Sequence, residues 1–152
     1  MADSRRETIV AAIKTRFAAI LTAGGYETNL GQHAFLWKTG AWQADELPGV
    51  DIRDVANDIE PHTAGVVKQL HKLKIEAEVA CKSGTTTAYQ VRKMIADIYK
   101  AIKVDRTWGG LARTTHAIKD EMGVEQESRT LGGAKVTFFV EFTTAYFDPY
   151  TA

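Results

Sequence analysis

A chain of 152 residues with 45% hydrophobic and 25% charged side chains has ordinary globular composition, and its length suits a single domain, 1–152. Its 19 Lys and Arg balance its 19 Asp and Glu. That balance disfavours sequence-specific nucleic acid as a partner, because polyanion binders carry a basic excess, and it leaves copies of the chain without long-range repulsion. A single cysteine, Cys81, excludes an intramolecular disulfide; the N-terminus lacks the apolar core of a signal peptide, and no apolar run is long enough for a membrane span. The expectation is a protein kept in a cytoplasm-like environment, with no membrane partner.

In chain order, Ser4 with Glu7 three residues on reads as a capping box opening a helix. Ile9, Ile13, Phe17, Ile20 and Leu21 form its buried stripe, and Gly24-Gly25 is expected to stop it. "HAFLWK" reads as a short strand, "TGAWQADELPG" as a loop exposing Trp42, and "VDIRDVA" as a second strand. "HKLKIEAEVACK" alternates with unusual purity: Leu73, Ile75, Ala77, Val79 and Cys81 on one face, mostly charged residues on the other. This predicts an antiparallel sheet with one face on the core and one in water. His71 is expected to be a partly solvated edge residue.

A second amphipathic helix follows in "AYQVRKMIADIYKAIKVD", with Val91, Met94, Ile95, Ile98 and Ile102 as its stripe. "LARTTHAIKDEMGVEQESRT" reads as two polar strand pieces bent at Gly123. "GGAKVTFFVEFTTAYF" reads as a closing strand, with Val136, Phe138, Val140 and Phe142 inward and Phe139 and Phe147 on the other side. The order helix, strands, helix, strands predicts an α+β fold, a largely antiparallel β-sheet with two amphipathic helices packed on one face.

Three Gly-Gly pairs, at 24–25, 109–110 and 132–133, raise the question of a phosphate cradle. None extends to a phosphate-loop or dinucleotide motif, which needs a strand before the glycines and a helix after them. Gly109-Gly110 follows a helix and precedes a strand, so it reads as a helix stop. Gly132-Gly133 lies between strands and reads as a hairpin turn. The four histidines, His33, His62, His71 and His116, have no metal-ligand spacing, and Cys81 has no cysteine partner and falls on an apolar strand face. Acidic pairs such as Asp120-Glu121 lie on polar segments. The sequence therefore points to no catalytic residue, metal ligand or cofactor. Aromatic residues outside the apolar stripes, Trp42, Trp108, Phe139, Phe147 and Tyr150, together with Arg113 at the start of a polar strand, are the candidate interface.

The segments "GGYETNLG", "LPGVDIRD", "KLKIEAEVAC", "AYQVRKMIADIYKAIKVD", "TWGGLA" and "AKVTFFVEFTTAYF", in this order and spacing, resemble the phage tail terminator proteins of long-tailed phages and prophages, also called minor tail or tail completion proteins. The resemblance runs over nearly the whole chain and implies a non-enzymatic subunit of a homo-hexameric ring. Such a ring caps the head-proximal end of the tail tube, stops tube polymerisation and prepares head–tail joining. The implied partners are the chain itself, the tail tube protein and head–tail neck or connector proteins. The implied location is the virion tail, assembled in the bacterial host cytoplasm. Two alternatives stand beside it: a neck or connector component, and a small α+β enzyme or ligand-binding domain built on dispersed residues such as His116 and Asp120.

Overall fold

A computed structural model describes residues 2–62, 67–83, 86–124 and 131–152. Ser4 caps α1 (Arg5–Ala18) by accepting from the Glu7 amide at 3.2 Å, and Ile9, Ile13 and Phe17 are fully buried along one side of the helix. The helix ends at Ala18, earlier than Gly24-Gly25 would stop it. The chain returns at once: the Gly31 amide donates to Ile20 O at 2.8 Å, taking a carbonyl that a continued helix would use. Gly31 sits so close to α1 that a Cβ would lie 2.5 Å from Ala18 O. Gly25, at φ 91°, instead closes a tight turn at Thr22–Gly24.

Five strands form one sheet in the order β1-β2-β3-β5-β4. They are β1 (Ala34–Leu36), β2 (Gly49–Pro61), β3 (Lys68–Lys82), β4 (Thr114–Val124) and β5 (Leu131–Ala145). Only β1 with β2 is parallel; the other three pairings are antiparallel. α2 (Thr87–Val104) and α1 cover one face, so the fold is the α+β arrangement expected. Leu73, Ile75, Ala77 and Val79 of β3 and Val136, Phe138, Val140 and Phe142 of β5 meet Val91, Met94, Ile98 and Ile102 of α2 in this core. Each large apolar side chain buried there contributes about 1.5–3 kcal/mol before entropy is subtracted. Asp97 also points inward, at 1% exposure. It accepts from the Thr28 amide at 2.8 Å and hydroxyl at 2.7 Å, fastening the loop after α1 onto α2.

Three sequence expectations change. The polar segment is one strand: β4 runs through Gly123, and its irregularity is a bulge between Ala117 and Lys119. Gly132 and Gly133 lie inside β5, paired with Cys81 and Ala80, and do not make the turn. They are small because neighbours crowd them: a Cβ on Gly132 would stand 2.5 Å from Thr87 Cγ2, and one on Gly133 2.6 Å from Val79 O. The segment joining the two strands, 125–130, lies outside the described residues. His71, finally, is buried, because β3 begins at Lys68 and surrounds it. Its ring stacks on Phe142 with centroids 4.5 Å apart and bonds Asn57 at 3.0 Å and Thr144 Oγ1 at 2.7 Å. Burial, then the nearby Arg6 charge, hold its pKa below the ordinary value.

Candidate functional site

The corner after α2 is a self-contained turn. Trp108, Gly109 and Gly110 take φ values of 54°, 74° and 85° in succession. The Asp105 carboxylate accepts from Thr107 N at 2.8 Å, Thr107 Oγ1 at 2.6 Å and Gly109 N at 2.8 Å. These bonds, those from Thr107 first, bring its pKa down to about 2. The amides that might have cradled an external anion are thus occupied by the chain's own carboxylate. Trp108 is 2% exposed, which places it in the core and corrects its place among the interface candidates. Its Nε1 donates to Thr115 Oγ1 at 2.8 Å, its ring meets Phe17 edge-on at 6.2 Å, and the Arg16 guanidinium lies 4.0 Å from its ring centroid. Arg113 stays exposed beyond the corner, its amide donating to Glu141 O at 2.7 Å.

Trp42 is half-buried because its loop folds back over the sheet. Its Nε1 donates to Glu78 Oε1 at 3.1 Å, its ring packs edge-on to Phe35, and it lies so close to Gly49 that no side chain fits there. Lys38 holds the loop from inside, donating to Ala41 O at 3.0 Å and pairing with Glu46 at 2.9 Å. Asp51 beneath it is 2% exposed and accepts from Lys38 N and from Arg53 Nε.

The face of the sheet away from the helices carries charges of both signs. Strand register places Asp51, Glu78, Lys135 and Glu121 in one row, and Arg53, Glu76, Thr137 and Lys119 in the next. Lys135 reaches Glu76 at 3.5 Å and Lys119 reaches Glu121 at 2.6 Å. Phe139 sits half-buried on this face with the His116 ring 5.1 Å away. One row further out, Gly49, Ala80, Gly133 and Gly123 align across four strands with almost no side-chain volume. Ala80, Gly133 and Gly123 contribute to the floor of a groove of about 550 Å³ that is also lined by Trp42, Leu47, Met122 and Leu131.

Beyond the opposite end of β5 several large apolar side chains are exposed. Phe147 is 79% exposed with φ 54°, a conformation disfavoured for a bulky L-residue. Tyr146 contacts it with centroids 4.5 Å apart and is joined to Val67 through Tyr146 N to Val67 O at 3.1 Å. Val67, Tyr146 and Tyr150 are also exposed. The six candidates therefore do not gather into one patch. Phe147 and Tyr150 belong to this C-terminal cluster, Trp42 to the groove, Phe139 to β5, Arg113 to the bend just before β4, and Trp108 to the core. The sequence reading missed Val67, Tyr146, Met122 and Leu131. Tyr146 stands beside Phe147 in "TTAYFDPY", where a turn-forming Asp-Pro follows a run of aromatics and was the available signal. The groove residues become visible only once the strands are in register.

Among the described residues no three His, Cys, Asp or Glu side chains are grouped to hold a metal ion, and no helix is long and apolar enough to cross a membrane. No protein-family model and no curated protein sequence matches the chain. Among solved structures it is similar to a chain of the "Virion of native gene transfer agent (GTA) particle", with a TM-score of 0.42 and 10% identity over 86% of this chain and 91% of that one.

Proposed function

We propose that this chain is a structural subunit of a phage or prophage tail, and specifically a tail terminator: a single-domain protein that forms a homo-hexameric ring on the head-proximal end of the tail tube. There it stops tube polymerisation and offers a surface to neck or connector proteins. The resemblance of the segments from "GGYETNLG" to "AKVTFFVEFTTAYF" supports this reading. The observation that carries it is the C-terminal cluster, in which an aromatic ring is left 79% exposed on a disfavoured backbone conformation. A contiguous apolar surface of this kind calls for another chain to cover it. Exposed Arg113 and half-buried Phe139 then meet a neighbour or the tube, with ion pairs fixing orientation more than affinity. On this reading the protein works in the virion tail, after assembly in the host cytoplasm, and uses no cofactor.

The test is polymerisation of the cognate tail tube protein with and without this chain. The proposal expects tubes whose growth stops at one end when the chain is added in substoichiometric amount. Unaltered tube growth at saturating chain concentration would rule it out.

A further inference from the structure

Among the described residues, the groove and the C-terminal cluster are two apolar features left without a partner, and they lie at opposite ends of the same strand. From Gly133 to Ala145 along β5 the separation is about 40 Å at ~3.3 Å per residue, so they cannot meet within one subunit. We infer that they meet between subunits: the Phe147–Tyr146 cluster of one copy seats in the groove of the next. This rests on the ring reading above and names its subunit contact.

Four observations favour a second copy as the occupant. First, the chemistry matches. The groove offers a floor of small residues, Ala80, Gly133 and Gly123, which admits flat rings close to the backbone, with Trp42, Leu47 and Leu131 also lining it. Second, the size is right for an interface centre. The exposed fractions of Phe147, Tyr146 and Tyr150 leave roughly 300–450 Å² of aromatic surface uncovered, taking about 150–250 Å² per ring. That is around half of the ~800 Å² per partner that a stable interface needs, and the two-signed surroundings supply the rest. Third, the edges permit pairing. Lys68 and Asp148 flank the cluster, Glu121 and Lys135 flank the groove, and the chain has no net charge to oppose association. Fourth, a contact between two different patches repeats head to tail, which is the geometry that closes into a ring.

Cys81 is the sole native cysteine, so the contact can be trapped cleanly. In a Cys81→Ala background, Phe147→Cys and Leu131→Cys are introduced singly and together, with unchanged circular dichroism as the folding control. Each protein is oxidised with and without tail tubes. The inference expects a covalent ladder from the double variant and at most dimers from either single variant. It also expects Gly123→Val to abolish the ladder with no loss of thermal stability, because a Cβ at Gly123 meets nothing within 4 Å and the larger side chain would stand on the floor where a ring must seat. Capped tubes without a ladder would overturn this contact and leave the terminator reading standing. A ladder without capping would uphold the contact and refute the terminator role. Neither ladder nor capping would overturn both.

Discussion

Replacing Trp108 separates a core role from an interface role, which the sequence alone did not distinguish. In Trp108→Ala the core loses a nearly fully buried ring, its edge contact with Phe17 and its hydrogen bond to Thr115. Truncating a buried large aromatic residue costs about 3–5 kcal/mol. The Arg16 guanidinium above the ring adds about 0.5–2 kcal/mol that is also lost. Relief of the positive φ offsets little, because alanine there is strained as well. The expected net loss is about 3.5–7 kcal/mol, comparable to the whole stability of a modest domain. Trp108→Phe keeps a six-membered ring in the cavity but removes the Nε1–H donor and the volume of the five-membered ring. Thr115 Oγ1 still donates to Arg106 O at 2.8 Å, so this change should cost about 1–2 kcal/mol. Urea denaturation of each variant measures both values. If Trp108→Ala unfolds at the wild-type midpoint yet fails to assemble, the residue works at an interface and the reasoning from burial is refuted.

Gly31→Ala should destabilise by more than about 2 kcal/mol, because the added Cβ collides with backbone carbonyls of α1 that cannot swing aside; urea denaturation checks this, and an unchanged midpoint would refute the close approach. His71 gives a pH signature. Its folded-state pKa lies below the unfolded 6.5, so on acidification the unfolded chain takes the proton first. Stability should be fully present above pH 6.5 and fall as pH drops through the folded pKa, and a melting-temperature profile of His71→Gln should lack that component. Asp105 gives a second signature at lower pH. Its pKa of about 2 lies below the unfolded value, so the corner keeps its contribution above the ordinary carboxylate range and loses it as pH falls towards 2; Asp105→Asn should flatten that limb of an acid titration followed by Trp fluorescence. Phe147→Ser should leave the unfolding midpoint within about 0.5 kcal/mol of wild type, since the ring is exposed, while sedimentation shows weakened association.

Periodicity made most of the fold legible. The alternation from Leu73 to Cys81 and the stripe from Val91 to Ile102 each encode a buried face directly, and both faces are buried as read. What local pattern could not show was long-range. The stop of α1 at Ala18 depends on Gly31 returning to Ile20, and the interior placement of Gly132-Gly133 depends on α2 lying against them. Trp108 looked exposed because its neighbours in sequence are a turn, yet its partners in space are Phe17, Arg16 and Thr115. The groove was illegible for the same reason. Gly49, Ala80, Gly133 and Gly123 are unremarkable in sequence, and only strand register lines them up. The exposed aromatics at the C-terminal end were partly legible, since Phe147 and Tyr150 follow the last apolar stripe and have no place in it.

The central claim is that this chain is an assembly part that ends a tail tube. Electron microscopy of cognate tail tubes incubated with the purified protein tests it most directly. The account predicts ring-shaped density with sixfold symmetry at one end of each tube and none along its length. Bare tube ends, or density spread along the tube walls, would contradict it.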